Sequence, residues 1–466
     1  MSDHIKKLRW YRDLRPYYFF GDNKGFFYKL MIKKFKEKIM KYKNTQTACL
    51  RAGYEPGNGK ANIPPITQST TFNYSSTKQV ADLFDLNDPG FFYTRLGNPT
   101  TDVLEKRIAA LDGGVAAVAT GSGQAASLIA ITNIAKAGDH IVALNNIYGG
   151  TYNLINKTLK DLGIDASFVA CNDLDELKAA IKDNTKLIFG ESLTNPKVDI
   201  LDIEAYANIA HENNIPLILD NTLATPALLR PIDFGCDIVT YSSSKYLDGH
   251  AAAMGGIVVD SGNFDWTKGD FDVLTKPDES YHGLVFTDHF GNAAYAARLR
   301  TVGLRDFGTI QSPFNSFLTL LGIDTLALRM ERHSENALEV AKFLENNDLV
   351  ESVSYPFLKS SKSYDLAQKY LKGGSGVMSF CIKGDRDTAA RFIDSLEMIN
   401  LAVHVSDARS LCLHPASSTH RQLSDKSLDE IGIYPNLIRL SIGLEDINDI
   451  IEDLDQAIKK SLQVKE

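Results

Sequence analysis

Long apolar runs are missing from this chain. None of its 466 residues belongs to a stretch approaching the roughly 20 apolar residues of a membrane-spanning helix, so no membrane association through a span is expected. Paired cysteines are missing too. Cys49, Cys171, Cys236, Cys381 and Cys412 lie far apart with no C-x-x-C pair. That argues against a zinc ribbon or a disulfide scaffold, gives no reason to expect a metal, and fits a reducing cytoplasm. Neither a G-x-G-x-x-G run nor a P-loop is present, so a dinucleotide or ATP site of those types is not expected. There is no internal repeat and no low-complexity linker. Hydrophobic residues make up 44% and charged residues 23%. Both are ordinary for a globular protein and set aside disorder, collagen and coiled coil as the main architecture. At roughly 100–200 residues per domain, the length suggests two or three domains.

Positive charge is scarce outside the N-terminus. The chain carries a net charge of −8, but residues 1–43 hold ten Lys, three Arg and four acids, a net of +9, which leaves −17 for residues 44–466. The acidic body is not expected to bind nucleic acid through a broad basic surface. In the basic extension, Phe27, Met31, Phe35 and Ile39 recur every four residues among lysines. A basic amphipathic helix of this kind can lie on an anionic membrane surface. Charges interrupt every apolar stretch, unlike a secretory signal, and Ser is sparse with Lys above Arg, unlike a transit peptide. The expectation adopted is a disordered tail or a translated upstream stretch before Met40, with no membrane role.

From about residue 100 the pattern alternates. Apolar strand-like runs fall at Ala116–Thr120, 141–144, 167–170, 187–189, 217–219, Ile238–Tyr241 and 256–259. Helical periodicity falls at 103–111, 122–135, 151–162, 174–181 and 203–213. Repeated strand–helix units imply an α/β fold around a mainly parallel sheet, which binds ligands at the carboxyl ends of its strands. Residues 263–292 read as a long loop. Helical stretches follow at 293–300 and 317–344, with a break expected near Gly322. Beyond residue 350, strands at 378–382 and 438–441 and helices at 387–393 and 447–462 describe a smaller α+β domain.

Three polar motifs interrupt the apolar pattern at strand ends. Thr120-Gly121-Ser122-Gly123-Gln124 lies between a strand and a helix. Small residues there let backbone N–H groups approach a phosphate, although a tight turn capped by Ser122 has the same sequence. Asp220 closes the run 217–219. A carboxylate at a buried strand end must be paired or protonated, so it can hold a ring nitrogen or a metal, or simply cap a loop. Lys245 follows Ser242-Ser243-Ser244 at the end of another strand. A lysine held there loses pKa by burial and suits Schiff-base chemistry, although most lysines on polar turns are surface residues. Ser242 and Ser244 would share one side of an extended segment, their hydroxyls free for a phosphate. Taken together, a phosphate cup, a carboxylate and a lysine are the parts that pyridoxal 5′-phosphate requires.

The run Asp237 to Tyr246 (DIVTYSSSKY), followed by Gly249-His250, resembles the lysine signature of the Cys/Met-metabolism pyridoxal-phosphate enzymes, whose fold is aspartate-aminotransferase-like (fold type I). The resemblance extends from about residue 44 to the end. Residues 277–283 (PDESYHG), Leu304-Arg305-Asp306 with Ser312-Pro313-Phe314, and 414–420 (HPASSTH) are similar to its O-acetylhomoserine sulfhydrylase subgroup. The resemblance implies that Lys245 carries the cofactor and moves protons, that Asp220 meets the pyridinium nitrogen, and that Tyr148 stacks on the ring and assists catalysis. It places Ser122, Gly123, Gln124, Ser242 and Ser244 on the phosphate and Glu191, Asn195 and Thr222 around the ring. Tyr93 and Arg95 would reach the phosphate of a neighbouring subunit, so a homo-oligomer, a dimer of dimers, is expected. Arg439, with Asn195 and His404, would bind the substrate.

The implied domains are an extension over 1–43, an arm over 44–100, a cofactor domain over 101–300 and a C-terminal domain over 301–466. The implied reaction joins O-acetylhomoserine and sulfide into homocysteine in methionine biosynthesis. A γ-lyase acting on methionine or cystathionine and a cystathionine γ-synthase remain open. Three departures from the family pattern stand out. Ser244 replaces a commoner Thr, Ala251-Ala252-Ala253 is unusual after Gly249-His250, and His404 stands where a smaller Asn or Ser is expected.

Overall fold

The computed structural model describes residues 42–88, 90–418, 421 and 434–462. The Phe27–Ile39 pattern and the rest of residues 1–41 lie outside them.

Seven strands form the larger sheet: β1 (Ala116–Thr120), β2 (His140–Leu144), β3 (Asp165–Val169), β4 (Thr185–Glu191), β5 (Leu217–Asp220), β6 (Ile238–Tyr241) and β7 (Gly256–Asp260), in the order β1-β7-β6-β5-β4-β2-β3. Strands β2 to β6 pair in parallel, while β7 runs antiparallel to both β6 and β1. Two reversals leave β1 pointing the same way as β4, β5 and β6. The carboxyl ends of these four strands therefore share one edge. Every residue of β2, β4, β6 and β7 is buried. Successive strand residues face opposite sides, so both faces are covered, and the strands read as unbroken apolar runs.

Strand β4 is longer than the run 187–189 because polar residues are buried in it. Lys186 is one, and its ammonium meets Asp270 at 2.5 Å. The stretch 263–292 is not a bare loop. Short turns at Asp272–Thr275, Glu279–Tyr281 and Phe286–Phe290 wrap an aromatic cluster in which Trp266 stacks on Tyr295 with ring centres 5.2 Å apart.

Five helices position the site. Helix α1 (Pro99–Asp112) starts at Asn98, whose side chain accepts the Thr100 N–H, and stops at Gly113 in the left-handed region. Helix α2 (Gly123–Thr132) follows β1. Helices α3 (Pro313–Asp324) and α4 (Leu326–Glu345) divide at Thr325. Gly322, where a break was expected, lies inside α3. A Cβ there would sit 2.2 Å from the Asp248 carbonyl oxygen, so this glycine permits a close approach and does not end the helix. Helix α4 serves two cores. Leu326 and Met330 pack into the core of the large sheet, and Ala337, Val340, Ala341 and Leu344 into a second core.

The second core is covered by α5 (Ile447–Ser461) and a five-stranded sheet: β8 (Val350–Ser354), β9 (Val377–Ile382), β10 (Asn400–Leu401), β11 (Leu411–Leu413) and β12 (Leu437–Ser441), in the order β10-β11-β12-β9-β8. Its β9 and β12 match the expected strands to within one residue. The other three carry little signal: β10 is two exposed residues, only Val350 of β8 is buried, and β11 is buried but only three residues long. Asp453 of α5 accepts the backbone N–H groups of Glu397, Met398 and Ile399 at 2.8, 3.0 and 2.9 Å. Asp453→Ala leaves three donors without that acceptor and should cost about 3 kcal/mol of unfolding free energy. A urea midpoint equal to that of the parent protein would show that water replaces the carboxylate freely.

Candidate active site

Strands β4 and β5 end side by side on Glu191 and Asp220, which are register partners. Burial raises the pKa of both carboxyls, and for Glu191 the Asp220 charge adds to the effect. Glu191 accepts the Tyr148 N–H at 2.6 Å and also the N–H of Asn195, which precedes the cis Pro196. Asp220 accepts the Thr222 N–H at 2.9 Å. Neither carboxyl forms an ion pair among the described residues. Two adjacent buried carboxyls cannot both ionise cheaply unless a cation joins them.

Strand β6 ends at Tyr241, so Lys245 does not end a strand as expected. It lies four residues further on, in a turn closed by Lys245 N–H to Ser242 O (3.2 Å) and Asp248 N–H to Ser243 O (3.0 Å). The extended segment expected for Ser242 and Ser244 is corrected with it. The Ser244 hydroxyl accepts the Gly255 N–H at 2.9 Å and donates to the Gly255 carbonyl at 3.2 Å. Tyr246 pins the turn. Its ring is fully buried against His333, and its hydroxyl accepts the Gly376 N–H at 3.1 Å. Arg329 of α4 donates to the Tyr246 carbonyl at 2.9 Å. Held this way, the half-buried Lys245 amine lies 3.0 Å from His404 Nδ1. Burial, followed by the nearby Arg439 charge, lowers its pKa to about 8.

The loop before α2 sits opposite this turn. The Ser122 hydroxyl caps α2 by accepting the Ala125 N–H at 3.1 Å. Gly121 N–H is fixed on the Thr309 carbonyl at 2.8 Å. A Cβ on Gly123 would meet the Ser242 Cβ at 2.6 Å, so glycine is what lets the two segments touch. The first N–H groups of a helix lack intrahelical acceptors and suit a phosphate. Gln124 is exposed and accepts the Thr151 hydroxyl at 3.1 Å.

Arg439 arrives from β12. It is buried, donates to the His404 carbonyl at 3.0 Å, and meets no carboxylate among the described residues. Burial lowers its pKa to about 10, and the Tyr148 phenol is close enough to act on it. A buried guanidinium without an anion is half of an ion pair. Eight of the expected residues thus form one circuit: Asp220 to Thr222, Thr222 Oγ1 to the Ser242 N–H at 2.8 Å, on through Lys245, His404, Arg439 and Tyr148, and back through Glu191. Tyr93 and Arg95 lie outside it. The Arg95 guanidinium sits 5.3 Å from the Tyr93 ring centre and donates to the Arg305 carbonyl.

A buried polar chain beneath the circuit gave no sequence signal. The Ser192 hydroxyl donates to Asn221 (2.7 Å), Asn221 to the Tyr241 oxygen (3.1 Å), and the Tyr241 hydroxyl to Asp112 (2.7 Å). It ties the ends of β4, β5 and β6 together through residues far apart in the chain.

Comparison with known proteins identifies the family. The pattern of the Cys/Met metabolism PLP-dependent enzymes matches residues 46–459. The chain belongs to that family. An O-acetyl-L-homoserine sulfhydrylase of Leptospira meyeri is 46% identical, over 89% of this chain and 96% of the relative. A homocysteine synthase of Schizosaccharomyces pombe is also 46% identical, over 89% and 98%. A solved Campylobacter jejuni structure, described as an O-acetylhomoserine (thiol)-lyase holding a pyridoxyl-lysine phosphate, is 41% identical with a TM-score of 0.87. The match covers 89% of this chain and all of that one. The fold is that of fold type I, and the cofactor is pyridoxal 5′-phosphate. The site fits it on its own terms. The carboxyl pair lacks a cation that a protonated ring nitrogen provides, the Gly123–Ser242 contact leaves room only for backbone, and the Lys245 amine is partly neutral near pH 8.

Gly123→Ala forces the two segments apart, so it should weaken cofactor retention at least tenfold, about 1.4 kcal/mol or more, and also lower the melting temperature of the apoprotein. Equilibrium dialysis followed by absorbance would check this. An unchanged dissociation constant would remove the cradle from the account.

Proposed function

We propose that the protein converts O-acetyl-L-homoserine and sulfide into L-homocysteine and acetate. The observation that carries this reading is the likeness, over nearly their whole length, to curated sulfhydrylases and homocysteine synthases. The circuit of residues supports it.

When bound, pyridoxal phosphate supplies an electron sink conjugated to the substrate α-carbon, which makes proton removal there and departure of acetate from the γ-carbon feasible. The chain's residues do the rest. Arg439 receives the substrate carboxylate, the anion its buried guanidinium lacks, and the bidentate fork sets the amino acid's orientation. Asn195 and His404 would complete the substrate site. Lys245 would carry the cofactor, and its free amine would take and return protons. A lysine pKa of about 8 keeps a useful fraction neutral for this task. Asp220 would hold the pyridinium nitrogen, with Glu191 and Thr222 fixing its position. Tyr148 would assist proton transfer near the leaving group. Ser122, Gly123, Gln124, Ser242 and Ser244 would hold the phosphate. The C–O bond at the γ-carbon breaks and the C–S bond forms; hydrosulfide enters as HS− and keeps its proton as the product thiol, and acetate leaves as the anion, so atoms and charge balance.

The wider organisation is part of the proposal. Residues 44–100 form an arm, 101–300 the cofactor domain and 301–466 the C-terminal domain. The arm serves a second subunit. Tyr93 and Arg95 are partly exposed and stand apart from their own chain's circuit. A dimer of dimers in the cytoplasm is the assembly, a location supported by five unpaired cysteines. No helix among the described residues is long and apolar enough to cross a membrane.

Cofactor-loaded protein given O-acetylhomoserine should form homocysteine in proportion to added sulfide, with little 2-oxobutanoate. Mainly 2-oxobutanoate in saturating sulfide would make the protein a γ-lyase. No turnover without cysteine would point to cystathionine γ-synthesis.

A further inference from the structure

His404 has a contact that a substrate-pocket wall does not need. Its Nδ1 lies 3.0 Å from the Lys245 amine. An ammonium only donates, so Nδ1 is the acceptor and the ring proton sits on Nε2. That Nε2 is buried with no partner. Leaving a buried donor unmade is costly, so the ring is held here for what Nδ1 does. The loop is fixed independently of the lysine. The His404 carbonyl accepts from Arg439, and the Ser406 N–H donates to the Ser441 hydroxyl at 2.7 Å, which clamps the loop to β12 at two points.

The charged groups around the pair are few. Asp248 comes from the lysine's own turn, Asp407 from the loop of His404, and Arg439 from β12. Burial first, and the Lys245 charge second, lower the His404 pKa to about 4. Near neutral pH the imidazole is therefore an uncharged acceptor. It is a far weaker base than the amine it faces, so it holds the ammonium without removing its proton.

We propose that His404 is a positioning residue that docks the Lys245 amine whenever that amine is not bonded to cofactor, and so sets the proton affinity and aim of the lysine. This rests on Lys245 being the cofactor lysine. The lysine amine would be free of the cofactor whenever a substrate amine occupied its place. A free four-carbon side chain samples many directions. An acceptor on an anchored loop selects one, and it stabilises the ammonium form that stores the α-proton until it is returned.

The test uses His404→Leu, which keeps bulk and removes the acceptor, and His404→Gln, which restores an acceptor. In apoprotein, the pH dependence of Lys245 acetylation by acetic anhydride, read by peptide mass spectrometry, reports the lysine pKa directly. Losing the acceptor destabilises the ammonium, so the Leu variant should titrate lower and label several-fold faster at pH 7. The Gln variant should return to within twofold of the parent. In holoenzyme, the Leu variant should lower kcat more than it raises KM for O-acetylhomoserine, and Gln should recover kcat. A parental labelling profile in the Leu variant, an upward shift, or a rise in KM alone would overturn the proposal. Should His404→Leu not fold, His404→Met makes the same comparison. Borohydride fixing the cofactor to another lysine would instead remove the reading of Lys245 on which the proposal rests.

Discussion

Two buried carboxyls at the ends of adjacent parallel strands share one edge of the sheet with a half-buried lysine and a buried arginine, and none of the four is ion-paired within the chain's described residues. That charge arrangement is the constraint on which the rest of the structure depends. Burial pushes each group toward its neutral form, as the raised pKa of Glu191 and Asp220 and the lowered pKa of Lys245 and Arg439 record. Direct pairing would relieve the strain and close the site. The fold keeps the two halves apart by planting the carboxyls at strand ends and carrying the cations on other elements. A protonated ring nitrogen would answer the carboxyl pair, an aldehyde the lysine and the carboxylate of an amino-acid substrate the arginine, while a phosphate would go to the loop before α2.

Keeping the halves apart needs a rigid link between two cores. Helix α4 provides it, with Met330 in one core and Val340 in the other. On the same helix, Arg329 holds the carbonyl of Tyr246 and His333 packs on the Tyr246 ring. The turn that presents Lys245 is thus fixed by the element that places β12 and Arg439. The polar chain from Ser192 to Asp112 fixes the carboxyl side in the same manner. A shift between the cores would change the Lys245–Arg439 relation directly.

Much of this was legible in the sequence, and the reason is physical. A polar residue ending an unbroken apolar run has to sit at a strand end, which located Asp220 and the loop at Ser122. Strands buried on both faces announce themselves, so the large sheet was readable, whereas the exposed β10 and the largely unburied β8 were not. Lys245 was placed on the right edge but in the wrong local structure. The run before it does not reveal that Ser243 closes a turn or that Ser244 bonds to Gly255. The contact between Lys245 and His404 spans 159 positions, and no local pattern encodes it. Tyr93 and Arg95 were singled out by resemblance alone, which assigns them to the site of a neighbouring subunit and not to the circuit of their own chain.

The most direct test of the account is chemical. The cofactor-loaded protein would be reduced with borohydride, digested and mapped by mass spectrometry. The account predicts a stoichiometric pyridoxyl group on the peptide containing Lys245, with loss of visible absorbance. A label on any other lysine, or none with cofactor still bound, would contradict it.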